Sequence, residues 1–201
     1  MAPDDRRDAI VTATLPLLVQ SGGGVTTKEI AAAAGIAEGT VFRVFETKDE
    51  LIRACFGKAT DTSEVRRRLR AVDRGLPLDE RLVVAVEIMH DHVGTVISLM
   101  TALHSSGVHL PRPRAASSGP RRRPGDPEVD AELVDLIGPD ATRLRVPVER
   151  AVTYLSMLTM ASVHPFLPDT ETTAAEVVGV LLTGVLSPDP TDDHHTESET
   201  R

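Results

Sequence analysis

The feature that most constrains this chain is a set of helix-start signals, each followed by apolar residues at helical spacing. Thr-x-x-Glu sequences begin at Thr26, Thr47 and Thr173. In such a capping box the Thr oxygen and the Glu carboxylate satisfy free amides at a helix start. Apolar residues recur every three or four positions in residues 8–20 and 78–103, as on one face of a helix. Because neither an alternating strand pattern nor an internal repeat is found, the sequence predicts an all-α fold.

Glycine and proline positions refine this prediction. The glycines at 22–24 are expected to end the first helix, and Gly35 is expected to take the positive φ of a tight turn. Pro16 is expected to kink the first helix or to remove one of its hydrogen bonds. The predicted helices cover residues 8–20, 27–34, 38–45, 48–70, 78–103, 128–137, 147–163 and 174–186.

Composition bounds the class of protein. The chain has 201 residues, of which 41% are apolar and 2% aromatic. This length suffices for a small domain joined to a larger one. The scarcity of aromatic residues argues against the stacking platforms on which single-stranded nucleic acids bind.

The location of the protein is predicted from its cysteine and apolar content. Its single cysteine, Cys55, excludes an internal disulfide bond, so no oxidising compartment is required. No apolar segment follows a basic flank near Met1, and the apolar runs are interrupted by His, Thr or Ser. We therefore expect no signal peptide, no membrane span and a cytoplasmic location.

Two polar segments indicate how the chain is divided. Residues 111–125 contain five Arg, four Pro, two Gly and no acidic residue, which predicts a mobile loop. Residues 187–201 are acidic and polar and predict a disordered tail. The expected domains are a small three-helix domain at 1–47, a larger helical domain at 48–186, and the tail.

The predicted helices on either side of Gly35 form a helix-turn-helix, for which a short turn containing glycine is the expected connection. Ala31 and Ala33 are small enough for two helices to cross closely. The inner face is predicted to collect Ile30, Ala34, Ile36, Val41 and Phe45, and the outer face Glu38, Gly39, Thr40, Phe42 and Arg43.

The net negative charge of the chain and of its residues 2–56 disfavours binding to nucleic acid. The whole chain carries a net charge of −8. Residues 2–56 hold six basic residues (Arg6, Arg7, Lys28, Arg43, Lys48, Arg53) and eight acidic ones. Three helix starts that point one way would offset this deficit, because free amides at helix N-termini bind phosphate. Local geometry rather than net charge is therefore expected to decide DNA binding.

Between Thr26 and Leu51 the sequence closely resembles the TetR family of bacterial repressors. The matching residues are Thr26-Thr27, Ile30-Ala31, Ala34-Gly35, Gly39-Thr40, Phe42, Phe45, Lys48 and Leu51. Their order, their spacing and their distance from the N-terminus agree with the family pattern over about the first quarter of the chain. The remainder is similar to the family only in its helical architecture.

The resemblance implies a set of DNA contacts. Phosphate contacts are implied for Thr27, Thr40 and Lys48, and base-edge or groove contacts for Lys28, Glu38, Gly39 and Arg43. Arg43 would pair with guanine, and Glu38 would accept a hydrogen bond from cytosine.

Two residues depart from the family pattern. Phe42 replaces the usual Tyr and so loses one phosphate hydrogen bond, which leaves apolar contact with a thymine methyl. Ala37 replaces the Ser or Thr that often caps the second helix of the motif, a loss of about 1 kcal/mol.

The remainder of the chain is predicted to bind a second copy and a small apolar effector. The apolar helices at 148–163 and 177–186 are expected to form a homodimer surface, with a monomer core as the alternative. Met suits promiscuous apolar ligands. Candidate residues lining the effector pocket are Met89, Val93, Ile97, Met100, His104, Tyr154 and Met157.

No pattern indicates an enzyme, a metal or a cofactor. His90 and His92 do not share a helix face, and His104 and His109 lie too far along the chain to complete a metal set. Catalytic triads, phosphate loops and paired carboxylates are not found. The chain is therefore predicted to be a ligand-responsive transcriptional regulator, specifically a repressor that a small apolar ligand releases from a palindromic double-stranded DNA operator.

An alternative stays open at this point: a helical small-molecule-binding or interaction protein that has lost DNA binding. The acidic balance of residues 2–56 and the residues Ala37, Glu38 and Phe42 motivate it. The sequence does not indicate the effector, the operator, the target genes, the direction of regulation or the role of residues 111–125.

Overall fold

The computed structural model describes residues 3–105, 126–163 and 172–185, and within them it is all-α. The predicted loop at 111–125 and the predicted tail at 187–201 lie outside the described residues, as do His109 and Leu186. The helices in the described ranges are α1 Pro3–Ser21, α2 Thr27–Ala33, α3 Glu38–Val44, α4 Lys48–Ala59, α5 Ser63–Arg70, α6 Leu78–Ser105, α7 Pro127–Ile137, α8 Val148–Ser162 and α9 Ala174–Val185.

The first helix is longer than its apolar pattern predicts. It begins five residues earlier, at Pro3, and continues through Pro16 to Ser21. Pro16 has no amide hydrogen, so the helix lacks one internal hydrogen bond there. A 3-10 turn at Gly22–Gly24 follows, and Gly22 has a φ of 56°, a conformation that costs glycine little.

Two of the three predicted capping boxes form in full. The Thr26 hydroxyl accepts from the amide of Glu29, and the carboxylate of Glu29 accepts from the amide of Thr26 at 2.7 Å. Thr173 and Glu176 make the same pair of contacts. The observed starts of α2 and α9 therefore lie within one residue of the starts predicted from these local signals.

The chain from Thr47 onwards forms two helices, and the prediction of one helix over 48–70 is wrong. α4 ends at Ala59, and α5 starts at Ser63. The carboxylate of Asp61 accepts hydrogen bonds from both the amide and the hydroxyl of Ser63. Thr60 also donates to the carbonyls of Phe56 and Gly57. Residues 60–63 are all Thr, Asp or Ser, whose side chains bond to nearby backbone and so compete with the helix.

The chain divides into two compact units, which are described separately. The first comprises residues 1–64 and 89–122, and the second residues 65–88 and 123–201. Both units include part of α6. The boundary predicted after residue 47 stays a prediction, and the compact first unit extends beyond it.

The core of the first unit is built from α1 to α4 and the C-terminal part of α6. Buried apolar residues in this cluster include Ile10, Leu18, Ile30, Val41, Phe45, Leu51, Ile52, Cys55, Leu99 and Leu103. The α4 residues lie in the same cluster as the residues of α2 and α3. Burial of about ten such side chains is the main favourable term that holds these short helices together.

α6 is longer and more apolar than expected. By length and composition it meets the requirement for a membrane span, with a mean hydropathy of 1.4, so the prediction that every apolar run falls short is wrong. Its apolar residues are nevertheless used in folding. Leu82 and Val86 are buried in the second unit, and Leu99 and Leu103 in the first. These contacts fit a core helix of a soluble protein.

The second unit packs α7 against α8 and α8 against α9. Ion pairs join residues near α5 to α7: Arg66 with Glu128, Arg70 with Glu132 and Arg74 with Asp135. Pro147 is the N-cap of α8 rather than its first helical residue.

The last helix is amphipathic in its packing although its sequence is apolar on nearly every face. Its buried residues are Ala174, Val177, Val178 and Leu181, whereas Val180 is 64% exposed. The described residues of α9 are therefore buried on one side only.

Candidate nucleic-acid interface

α2, the following turn and α3 form a helix-turn-helix. Gly35 has a φ of 65°, as predicted, and this left-handed conformation lets the chain reverse direction after α2. The amide of Ile36 donates to the carbonyl of Ala31 at 3.0 Å, which closes the turn. Ile30, Val41 and Phe45 are at most 3% exposed, so the two helices share one buried face.

Two details of this predicted packing differ. Ala34 and Ile36 are half-buried rather than fully buried, and Ala33 is exposed. Ala31, by contrast, is buried. Of the two alanines expected at the helix crossing, Ala31 alone lies inside.

The outer face of α3 presents the predicted contact residues to solvent. Glu38, Gly39, Phe42 and Arg43 are exposed, and Thr40 is half-buried. Phe42 leaves 53% of its surface in water, although an aromatic ring gains free energy when it is buried. The face is therefore open to a partner, with one apolar, one basic and one acidic side chain along it.

Three of the predicted contact residues meet around one shallow depression. Thr27 of α2, Phe42 of α3 and Lys48 of α4 line it, together with Thr47. The other lining residues are Ile30, Val41, Phe45 and Leu51, which belong to the buried core. Side chains from α2, α3 and α4 thus surround a floor formed by buried apolar residues of the shared core. Lys28 is also exposed, at the start of α2.

Lys48 is held by the backbone. Its Nζ donates to the carbonyl of Gly23 at 2.6 Å. An ammonium group has three donors, so the remaining two are available for a second acceptor. The charge is therefore kept beside the turn that precedes α2 rather than free to move over the surface.

The helix starts supply fewer free amides than the sequence suggests. In α2 and α4 the Thr hydroxyls take the amides of Glu29 and Glu50. In α3, Ala37 provides no side-chain cap, as its identity predicts. The start of α3 is thus the one of the three that lacks a capping side chain. That the three starts point one way stays a prediction.

Several of the acidic residues that count against DNA binding are engaged within the first unit. Hydrogen bonds from the backbone and hydroxyl of Thr26 lower the pKa of Glu29. Hydrogen bonds from Arg7 and from the amide of Glu46 lower the pKa of Glu50. Asp8 pairs with Lys58 at 2.5 Å. Glu50 and Asp8 thus each have a cationic partner that offsets their charge, whereas Glu29 is held by neutral donors of Thr26.

Arg7 is a feature of this unit that sequence reasoning missed. Its guanidinium on α1 contacts the end of α3 and the start of α4. The partners lie 37 and 43 residues away in the chain. No local spacing could have indicated them.

Cys55 offers no chemistry. It is fully buried, and burial raises the pKa of its thiol to about 12. Its Sγ lies 3.8 Å from the carbonyl of Val11, to which it donates. Across residues 3–105, 126–163 and 172–185, moreover, no group of three or more potential metal ligands is found.

The residues predicted to line an effector pocket fall into two sets. Met89, Val93, Ile97, Met100 and His104 are on the part of α6 in the first unit, and Tyr154 and Met157 are on α8 in the second. Met89 is buried, whereas Met100 is 47% and Met157 is 52% exposed. Val93 and Ile97 are half-buried, and His104 is exposed.

The helix-turn-helix with its exposed second helix has the architecture of the DNA-binding domain of a transcription regulator. Residues 10–55 match the family model of the bacterial regulatory proteins of the tetR family. The N-terminal domain of this chain is therefore that of the tetR family, as the sequence resemblance implied.

Solved structures share the fold beyond this domain. A TetR transcriptional regulator from Streptomyces coelicolor is 20% identical, with a TM-score of 0.54, over 91% of this chain and 99% of that one. A transcriptional regulator from Rhodococcus sp. Rha1 is 19% identical, with a TM-score of 0.52, over 94% and 100%. The superantigen PfiT is 19% identical, with a TM-score of 0.55, over 94% and 100%. At these identities the matches establish the fold alone.

Proposed function

We propose that the protein is a homodimeric repressor that binds a palindromic operator and is released from it by a small apolar ligand. The observation that carries the DNA-binding part of this proposal is the exposed face of α3 on the helix-turn-helix, with Thr27, Phe42 and Lys48 around a shallow depression beside it. A cytoplasmic location is proposed with it, because a repressor acts where the DNA of a bacterium lies.

The proposed DNA contacts divide by chemistry. Thr27, Thr40 and Lys48 bind phosphates, which position the protein without reading sequence. Arg43 and Glu38 read base edges in the major groove, where Arg suits guanine and Glu suits cytosine. Lys28 and Gly39 lie in the groove, and Phe42 contacts a thymine methyl.

Dimerisation is supported by apolar residues that a single chain leaves in water. Tyr154, Met157 and Met160 are exposed at three-residue steps along α8, and Val180 is exposed on the adjacent α9. A dimer formed by twofold symmetry through this surface has the symmetry of a palindromic operator, whose half-sites lie about 34–36 Å apart.

The ligand is proposed to act by preferring a dimer in which the two copies of α3 are out of register with the groove. A ligand shifts such an equilibrium only through its differential affinity for the two states. The proposed lining residues remain two sets, one on α6 in the first unit and Tyr154 with Met157 on α8 in the second. Because Tyr154 and Met157 also lie on the proposed dimer surface, a lost ligand response in their variants counts for the pocket only where the variant remains dimeric.

The test is a selection of bound fragments from random duplex DNA by the purified full chain at moderate salt, with light scattering to give the oligomeric state. An enriched palindrome bound by a dimer supports the proposal. A folded dimer that enriches no sequence contradicts it. That outcome favours the second candidate, a helical ligand-binding or interaction protein that has lost DNA binding, for which the exposed Glu38 on α3 argues.

A further inference from the structure

Arg7 holds the end of α3 that lies away from its uncapped start. Its Nη1 donates to the carbonyl of Val44, the last residue of α3, at 3.2 Å. Its Cζ lies 4.2 Å from the centroid of the Phe45 ring, within the range of a cation–π contact. One guanidinium from α1 therefore fixes both the last helical carbonyl and the C-cap residue.

The same guanidinium reaches α4 through Glu50. Its Nη2 donates to Oε1 of Glu50 at 2.8 Å, and Oε2 of Glu50 accepts from the amide of Glu46 at 2.9 Å. The predicted capping box at Thr47 is thereby formed in one direction only. Thr47 accepts from the amide of Glu50, but the carboxylate bonds to Glu46 and Arg7 instead of Thr47.

These contacts enclose the turn between α3 and α4. Arg7 bonds to the backbone before the turn, and Glu50 bonds to the backbone within it. Arg7 supplies two donors in a plane and a flat face for the ring, a combination that a Lys ammonium cannot reproduce. The α3 helix has seven residues and no side-chain cap at its start, so its orientation depends strongly on how its end is held.

We propose that Arg7 is a positioning residue that sets the orientation of α3 for sequence-selective reading of DNA. This inference rests on the proposed function. Arg43 and Glu38 extend from α3, and the bidentate pair proposed for Arg43 with guanine requires two hydrogen bonds in a fixed geometry. Phosphate contacts tolerate a tilt of the helix better, because they depend mainly on charge.

The experiment compares Arg7→Ala, Arg7→Lys and the control Arg6→Ala in the full chain. Arg6 carries the same charge on the same turn of α1. For each variant, affinity is measured for the selected operator and for random duplex DNA at one salt concentration. Circular dichroism shows whether each variant is folded at the assay temperature.

We expect Arg7→Ala to reduce the ratio of operator to random-DNA affinity by about tenfold, while Arg6→Ala weakens both affinities by one common factor. Arg7→Lys keeps the charge, but its ratio of operator to random-DNA affinity is expected to stay below that of the wild type. If Arg7→Ala does not fold, Arg7→Lys and Glu50→Gln carry the test, since each alters one group of the network and keeps its size.

Two results overturn the inference alone: a common loss on both DNAs in Arg7→Ala, or a full return of the ratio in Arg7→Lys. The first result would show that Arg7 contributes only stability or overall charge. The second would show that a positive charge at this position is sufficient for selective binding. A wild-type chain that enriches no sequence overturns the proposed function together with this inference. The two failures are thus distinguishable.

Discussion

The ammonium group of Lys48 donates to the backbone carbonyl of Gly23 and ties the start of α4 to the turn before α2. The charge is thereby fixed at this turn, on the depression that Lys48 and Thr27 line, where the proposed phosphate lies.

We predict that Lys48→Met weakens binding to operator and random DNA by the same factor, because a phosphate contact carries no sequence information. Plots of log affinity against log salt should become shallower by about 0.9. The control is Lys58→Met, which removes an equal charge at the far end of α4. A similar loss of slope in both variants would show that overall charge, rather than a contact at Lys48, is responsible.

Arg43→Ala tests the proposed reading of a base edge. We expect a loss of about 1–3 kcal/mol on the operator and a much smaller loss on random duplex, because a bidentate pair to guanine discriminates by that amount. A repeated selection should show relaxed preference at one position of each half-site. Equal losses on operator and random DNA would contradict the base contact.

The ion pair between buried Arg81 and half-buried Asp140 leads to a prediction about stability. Arg81 is 2% exposed, bonds to Asp140 and donates to the carbonyl of Leu136 at 2.8 Å. Asp140→Ala leaves this buried charge without its carboxylate, so the free energy of unfolding in urea should fall by about 3–5 kcal/mol.

The control for this prediction is Asp135→Ala. The carboxylate of Asp135 pairs with Arg74 but is 71% exposed, and pairs of this kind contribute about 0–1 kcal/mol. Equal effects of Asp135→Ala and Asp140→Ala would contradict the role given to burial.

The lowered pKa of Glu50 leads to a prediction of how stability depends on pH. Its pKa lies below the ordinary value of 4.5, mainly because Arg7 bonds to the ionised form. A carboxylate with a lowered folded pKa stabilises the fold above its unfolded pKa, and this contribution disappears as pH falls through the folded pKa. Glu50→Gln should therefore be less stable than wild type at neutral pH, and the difference should vanish well below pH 4.5.

The same pH series in an Arg7→Ala background identifies the cause. There the loss of stability caused by Glu50→Gln, measured by urea unfolding, should be smaller at neutral pH than in the wild-type background. An unchanged loss would assign the effect to the amide of Glu46 instead of Arg7.

Val180→Asp tests the proposed dimer surface. Val180 is 64% exposed in one chain, so an aspartate there should leave the monomer fold intact and disrupt the dimer through an unpaired buried charge. Light scattering should give the mass of one chain. Ala175→Asp, at an exposed position in the first turn of the same helix, is expected to remain dimeric, and a monomer in both cases would contradict the assignment of the surface.

The sequence predicts features that depend on neighbouring residues. The boxes at Thr26 and Thr173 and the turn at Gly35 are found as expected, since each is decided within four residues. The break at residues 60–62 was missed because apolar residues continue at helical spacing on both sides. There the carboxylate of Asp61 bonds to Ser63, the first residue of α5, and so favours a new helix start over a continuation of α4.

Features that depend on distant residues could not be predicted. Glu50 has the sequence of a capping box, but a guanidinium from α1 redirects its carboxylate. Arg81 lies in a helix where Arg is usually exposed, and its partner is 59 residues away. One sequence contains no signal that pairs such residues, so the fold must be known before their roles can be assigned.

The placement of Leu99 and Leu103 in the same cluster as Ile10 and Ile30 has a consequence for synthesis. The N-terminal helices emerge from the ribosome first, but their core lacks two leucines until residue 103 has been made. Domains fold as units during synthesis, and contacts this distant in sequence form late. We therefore expect the nascent helix-turn-helix to reach its final stability only after more than half of the chain has been translated.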